Sequence, residues 1–353
     1  MSSVSWFSQA VTAWYHLHRR PLPWRATTDP YPVWLSEVIL QQTRVDQGMA
    51  YWQRFMERWP TVHDLAAASE DEVLRAWQGL GYYSRARNLL QAARQVVNVH
   101  GGQFPASAKG LLGLKGVGPY IAAAVGSIAF DLPLAVVDGN VYRVLARFAG
   151  IATPIDSTEG RREFQALAQR LLDHAHPGDH NQAVMELGAL VCTPRRPACA
   201  DCPLRPKCVA HATHRIEVLP MKAGRTKVRE RHLHFLDIRL EQGIPLQKRG
   251  PDDIWAGLFQ LPLIESDGRL TRPALLRRLR AIHPGPWTIQ EHTGPATHLL
   301  SHQRLHITFW RVSPPRDLPI PTDWTVVPLD ALDHHALPRP LERYLTPSAH
   351  RTE

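Results

Sequence analysis

The chain has 353 residues, with 41 Lys and Arg against 32 Asp and Glu, for a formal net charge of +9 at pH 7. That length suits two domains with cores of their own, and with no apolar run of about 18 residues, nothing reads as a membrane-spanning helix. The positive balance suits a polyanionic partner such as nucleic acid, held through its backbone with an affinity that falls steeply with salt.

In chain order, MSSVSWFSQAVTAWYHLHRR spaces Trp6, Phe7, Ala10, Val11 and Trp14 along one face of an amphipathic helix and lacks the pattern of a secretory leader, so a cytoplasmic protein is expected. Arg20-Pro21-Leu22-Pro23-Trp24-Arg25 reads as a packed loop with a surface arginine. Residues 31–45 read as one helix entered through Pro32, with Trp34, Val38, Gln41 and Val45 on a stripe and Glu37 beside it. A glutamate there is ordinarily solvated. Periodic segments at 71–78 and 84–99 alternate with the breaks Gly79-Leu80-Gly81 and His100-Gly101-Gly102, so the chain to about Val209 is expected to be mostly helical. Tyr82, just past the first break, reads by itself as a core residue.

The stretch 111–144 is the most informative. In Leu114-Lys115-Gly116-Val117-Gly118 the two glycines, Gly116 and Gly118, permit a tight turn that aims successive N–H groups outward, with an Ala-rich helix behind it. Such a turn can seat an anion or simply connect two helices. Tyr120 follows it. Asp138, in VVDGN, ends an apolar segment and opens another helix, which Asn140 can cap before Val141. Farther on, Gln182 and Glu186 fall at helical i,i+4 spacing.

Cys192, Cys199, Cys202 and Cys208 are the chain's only cysteines, spaced C-x6-C-x2-C-x5-C among prolines. Disulfides are possible in principle, but a cytosolic setting favours metal ligation. Zinc would ordinarily show two C-x2-C pairs, whereas thiolate softness alone accepts zinc or iron-sulfur. From Ala210 to Arg231 the sequence is basic and non-periodic, with Lys222, Arg225, Lys227, Arg229 and Arg231, and reads as a linker. Beyond it, residues 232–240, 255–263 and 305–312 read as strands, with one helix near 273–282.

The LKGVG hairpin with its following Asp resembles the helix-hairpin-helix superfamily of base-excision DNA glycosylases. The SEVILQQTRV, RPLPWR, NQAVMELG and GLGYYSRARN segments resemble, within it, the MutY family of adenine glycosylases. The match extends over nearly the whole chain. It implies a multidomain protein: an all-α glycosylase domain at 1–212, with the helix-hairpin-helix at about 104–130 and a 4Fe-4S loop at 192–208. A basic linker at 213–230 and an α+β Nudix-like domain at 231–345 complete it. Bifunctional relatives carry a lysine where this chain has Tyr120, and a tyrosine has no amine to condense with a sugar aldehyde, so a monofunctional enzyme is implied.

The resemblance gives Glu37 the role of general acid and Asp138 that of an anion beneath the sugar, with Tyr120 and Asn140 oriented on the Glu37 carboxyl or on a water. Trp24 and Arg25 would wall the adenine pocket, and Gln182 and Glu186 would read the base edge. Gln42 and Tyr82 would enter the duplex. Ser301 and His302 would face 8-oxoguanine, although the family's usual Phe before them is Leu300 here. The partner implied is double-stranded DNA with A:8-oxoguanine or A:G mispairs, bound by a monomer. A lyase acting on pyrimidine lesions and a non-catalytic iron-sulfur DNA-binding module are the alternatives. Chemistry explains the residue types: the base needs a proton to leave, while the sugar cation needs a negative charge nearby. A glutamate with a pKa of about 4.3 is protonated at pH 7 only about once in 500, so roughly 3.7 kcal/mol of environmental bias must come from burial.

Overall fold

The computed structural model describes residues 3–224 and 228–345, which leaves Arg225 and Lys227 of the expected linker outside the described residues. The helices, in order, are α1 (Ser3–His18), α2 (Pro30–Ile39), α3 (Val45–Arg58), α4 (Val62–Ala67), α5 (Glu70–Trp77), α6 (Ser84–His100), α7 (Ala108–Leu112), α8 (Pro119–Phe130), α9 (Gly139–Ala149), α10 (Thr158–Leu171), α11 (Pro177–Leu190) and α12 (Val209–Ala212). Strands β1 (Arg229–Ile238), β2 (Ile244–Lys248), β3 (Phe259–Gln260) and β4 (Leu263–Ser266) follow, then α13 (Arg272–Ile282), β5 (Thr288–Leu299), β6 (Gln303–Ser313), β7 (Trp324–Val327) and α14 (Arg339–Leu345). The chain divides into two compact units, one of Met1–Ala68 with Asn88–Gly224, the other of Ser69–Arg87 with Arg225–Glu353.

In the first unit, α1 buries Phe7, Val11, Trp14 and Tyr15 against α9, α10 and α11. The helix expected at 31–45 is shorter. It starts at Pro30 under an Asp29 cap that accepts from the Tyr31 N–H, and it ends at Ile39. Gln42 then takes a left-handed φ of 54°, which no helix tolerates, and Val45 opens α3 behind Arg44. Every residue from Tyr31 to Ile39 is buried, so α2 is packed all round rather than along one stripe. The helix after VVDGN is capped by Asp138 itself, which accepts from the Val141 N–H, and not by Asn140.

The apolar segment before Asp138 joins no sheet, yet its backbone must find partners. Side chains supply them: Asn181 accepts from the Val136 N–H and donates to the Leu134 carbonyl, while Gln165 donates to Ala135 and Gln169 to Pro133. Those bonds fix where Asp138 emerges.

The second unit holds a four-stranded sheet in the order β4-β1-β6-β5 and a three-stranded sheet in the order β3-β2-β7. β1 and β6 are parallel and central, and Leu233, Phe235, Leu305, Ile307 and Phe309 anchor one core. The strand expected at 255–263 is instead a loop followed by β3 and β4, which belong to different sheets, because Trp255 and Gly257 take left-handed φ values of 59° and 79° that break extension. Among the described residues, no helix is long and apolar enough to cross a membrane.

The α9–α11 crossing is closed by Gly188, where a Cβ would stand 2.6 Å from the Asn140 Cβ and 3.0 Å from its carbonyl oxygen. Gly188→Ala should therefore destabilise the protein by about 1–3 kcal/mol as overpacking does. A urea titration checks this, and an unchanged midpoint would show that the crossing is loose.

Candidate active site

A cleft of about 170 Å³ in the first unit is lined by Trp24, Arg25, Glu37, Tyr120, Asp138, Asn140, Gln182 and Glu186, with Arg20 and Met185 among the rest. Eight of the residues singled out from sequence thus converge from the 23–25 turn and from α2, α8, α9 and α11. Glu37 is 8% exposed, and its carboxyl accepts the Tyr120 hydroxyl at 2.5 Å. Burial is the largest influence on it, opposed by the Tyr120 bond and reinforced by the nearby Asp138 charge, and together they raise its pKa to about 7. Among the described residues, no arginine bonds it. Tyr120 is held well above its ordinary pKa by burial and by the two carboxyls, so it remains a donor.

Asp138 accepts from the Val141 N–H at 2.7 Å and from the Asn140 side-chain amide at 2.9 Å. Burial raises its pKa and these bonds, with Arg143, pull it back. Asn140 therefore orients Asp138 rather than Glu37. Its other end accepts from Arg143 at 2.8 Å, and the same guanidinium donates to the Gly188 and Cys192 carbonyls. Arg143 was not apparent in the sequence, although its place one helical turn past Asn140 was a usable signal.

Glu186 departs most from expectation. It does not pair with Gln182. Its two oxygens accept from Arg20 Nε, Nη2 and backbone N, and from Arg25 Nη1 and Nη2, at 2.7–3.0 Å. Burial opposes its charge, but the Arg25 and Arg20 hydrogen bonds win and hold its pKa at about 2. A carboxylate offers about four lone-pair sites, so five donors leave none for a base amine unless an arginine yields. Arg20 thus joins the site. Gln182 accepts the Tyr15 hydroxyl at 3.1 Å, while its amide nitrogen has no partner among the described residues. Trp24 is buried, with its ring 5.5 Å from that of Trp52.

At the hairpin, Gly116 needs its glycine, with φ at +75° and a would-be Cβ 2.6 Å from Asn88, whereas Gly118 has φ −91° and open space around it. The N–H groups do not all point outward as expected. Lys115 donates to Gln95 and Val117 to the Leu114 carbonyl, which leaves those of Gly116 and Gly118 without partners among the described residues.

The four cysteines are free thiols and line one small apolar cavity with Leu187, Val191 and Arg147. Arg147 is almost wholly buried and donates to Cys192 Sγ at 3.4 Å and to the Thr193 carbonyl at 2.8 Å. Among the described residues, no three His, Cys, Asp or Glu side chains converge closely enough to hold a metal ion. Four soft sulfur donors around one cavity suit a thiolate-held metal or iron-sulfur group.

In the second unit, Tyr82, Ser301 and His302 line a single groove of about 320 Å³ with Trp255 and Arg87. Tyr82 is 48% exposed at a left-handed φ of 47°, so it is no core residue. Gln42, in the first unit, is likewise exposed. Ser301 Oγ and His302 Nδ1 lie 2.8 Å apart. Leu300 is partly buried, packing against the unit's own core while also lining that groove, and its neighbour Leu299 is the more exposed side chain.

Residues 35–170 match the HhH-GPD superfamily of base excision DNA repair proteins, and residues 235–346 match a NUDIX domain. The chain is 38% identical to adenine DNA glycosylase of Rattus norvegicus over 360 residues, covering 86% of this chain and 70% of that protein. It is 33% identical to adenine DNA glycosylase of Buchnera aphidicola (strain Sg), covering 72% of this chain and 74% of that protein. A thermostable thymine-DNA glycosylase superposes with a TM-score of 0.55 at 29% identity, over 60% of this chain and 97% of its own. Endonuclease III in a non-covalent DNA complex shares the fold, with a TM-score of 0.52 at 21% identity over 60% and 96%. With its helical unit of endonuclease III fold and this likeness to full adenine glycosylases, the chain belongs to the adenine DNA glycosylase family.

Proposed function

We propose that this protein excises adenine paired with 8-oxoguanine or guanine from double-stranded DNA, as a monofunctional glycosylase acting in base excision repair. The observation that carries the reading is Glu37, buried, bonded to Tyr120 and able to keep its proton near neutral pH. Glu37 donates that proton to a ring nitrogen of the extruded adenine, and the C1′–N9 bond breaks with its electron pair going to the base. Asp138, held by Val141 and Asn140, opposes the charge growing on the sugar. Water then adds to C1′ and returns a proton to Glu37, leaving an abasic site and free adenine. Tyr120 offers no amine, which argues against a lyase.

Trp24 and Arg25 wall the base, and Glu186 acts mainly by fixing Arg25. The Gly116–Gly118 hairpin seats a phosphate, and Gln42 and Tyr82 fill the space the base leaves. The groove shared by Tyr82, Ser301 and His302 supports recognition of the opposite purine by the 231–345 domain, beyond the 213–230 linker. Cys192, Cys199, Cys202 and Cys208 hold a 4Fe-4S cluster, whose contribution is structural. A monomer suffices for all of these roles.

Single-turnover cleavage should be fastest on A:8-oxoguanine, slower on A:G and negligible on A:T. Glu37→Gln and Asp138→Asn should each lower the rate about 10²- to 10⁴-fold. A few-fold loss contradicts the roles given. Borohydride should trap no efficient covalent adduct. Because the protonated acid is the active form, the rate should fall as pH rises through about 7. The same shift enters stability. Folding raises the Glu37 pKa from 4.5 to about 7, so its contribution is complete below the ordinary value and is lost as pH climbs through the folded one. Relative to Glu37→Gln, the wild type should therefore lose about 3 kcal/mol between about pH 4 and pH 8; parallel denaturation curves would show a solvated Glu37. For the cysteines, the purified protein should be brown with iron and sulfide in equal amounts. Stoichiometric zinc in a colourless protein would displace that reading.

A further inference from the structure

The catalytic cleft shares part of its lining with a neighbouring cavity. A second, polar cavity of about 610 Å³ in the same unit is lined by Arg25, Ala26, Thr27, Thr28, Ile128, Asp131, His176, Gly178, Asp179 and Gln182. Three of these, Arg25, Ile128 and Gln182, also line the cleft, so they form the partition between the two spaces. Helix α8 fixes which way the second cavity faces. It begins at Gly118 in the hairpin and runs for 12 residues, so Asp131 at its C-terminal end lies about 18 Å from the hairpin. The chamber beside Asp131 thus lies a helix length from the hairpin that the reading above places against DNA.

Of the partition's two polar members, Arg25 is bonded more firmly than Gln182. Arg25 is tied to both oxygens of Glu186. Gln182 is held only by the Tyr15 hydroxyl, and it is a flexible side chain whose amide nitrogen is unengaged among the described residues. Beyond it, the Thr27 and Thr28 hydroxyls and the Asp131 and Asp179 carboxylates line the chamber with acceptors for an exocyclic amine.

We propose that this chamber is a rear port through which the freed aminopurine leaves while the abasic DNA is still bound, with Gln182 as the gate. The inference rests on the adenine-excision reading above. It follows from a physical requirement: a base trapped beside the sugar cation can rejoin it, whereas a base withdrawn through the partition cannot.

The test uses a duplex with radiolabelled adenine opposite 8-oxoguanine, cleaved in a single turnover, followed by rapid gel filtration of the enzyme–DNA complex. Thr28→Trp and Ala26→Trp narrow the chamber without touching the cleft. Each should slow loss of label from the complex by about tenfold or more, with the alkali-quenched cleavage rate kept within about twofold of wild type. Loss of label at the wild-type rate from both variants overturns the port, as does a cleavage rate that falls in step with release. Wild type gives a second reading that needs no variant. Free 2-aminopurine, whose fluorescence drops on burial, should enter a preformed complex with abasic-analogue DNA, and exclusion while DNA is bound also overturns the port. If the wild type cleaves no adenine at all, the excision reading is what has failed.

Discussion

The structure turns on a carboxyl group that is buried without a cation. Glu37 sits on a helix packed on every side, and the one polar group bonded to it is a phenol that is itself kept protonated. An arginine in bonding distance would make Glu37 a permanent carboxylate and useless as an acid. An open position would do the same through hydration. The protein keeps Glu37 neutral by accepting roughly 3 kcal/mol of instability once it ionises. Everything nearby follows from that requirement: the all-round burial of α2, the tyrosine on α8, and an aspartate near enough to add its repulsion.

Glu186 shows the opposite choice a short distance away in the same cleft. Two guanidiniums saturate it, and its pKa sits at about 2 against about 7 for Glu37. Two glutamates of the same intrinsic acidity thus differ near neutral pH, Glu186 fully ionised and Glu37 still holding its proton a large part of the time, and the division is made by their surroundings. The arrangement also partitions charge. Arg20 and Arg25 spend their charge on Glu186, so the cleft contains guanidiniums yet offers little positive charge to the acid. Of the two, only Arg25 acts on Glu37 at all, as the weakest of its influences.

Much of this was legible in the chain because the informative residues sit in short local patterns. The hairpin, the aspartate after it and the four cysteines are set by sequence spacing, and the structure gathers eight of the named residues around one cleft. What escaped was set by long-range partners. Arg20 is tied to Glu186 across 166 positions, a link no periodicity encodes. The segment before Asp138 reads only as an apolar stretch, and amide side chains far along the chain complete its backbone bonding. The helix predicted to reach Val45 stops because Gln42 turns left-handed, and glutamine carries no signal for that. Residues 69–87, whose 71–78 segment and Gly79-Leu80-Gly81 break look in sequence like more of the helical region, belong to the second unit, where Tyr82 shares a groove with Ser301 and His302 from the other end of the sequence.

The cysteine loop has a mechanical place in this scheme. Helix α9 begins at Asp138, and two arginines farther along the same helix grip the loop: Arg143 at the Cys192 carbonyl, Arg147 at the Cys192 sulfur and the Thr193 carbonyl. Arg143 also holds Asn140, which holds Asp138. The loop is therefore linked to the aspartate through three hydrogen bonds carried on one helix. Arg147 is almost wholly buried, and its guanidinium is satisfied by the Ile216, Leu219 and Thr193 carbonyls as well as the Cys192 sulfur. The loop thus does more than close off one end of the domain: it is bonded, through α9 and Arg143, to the residues that hold the Asp138 carboxyl.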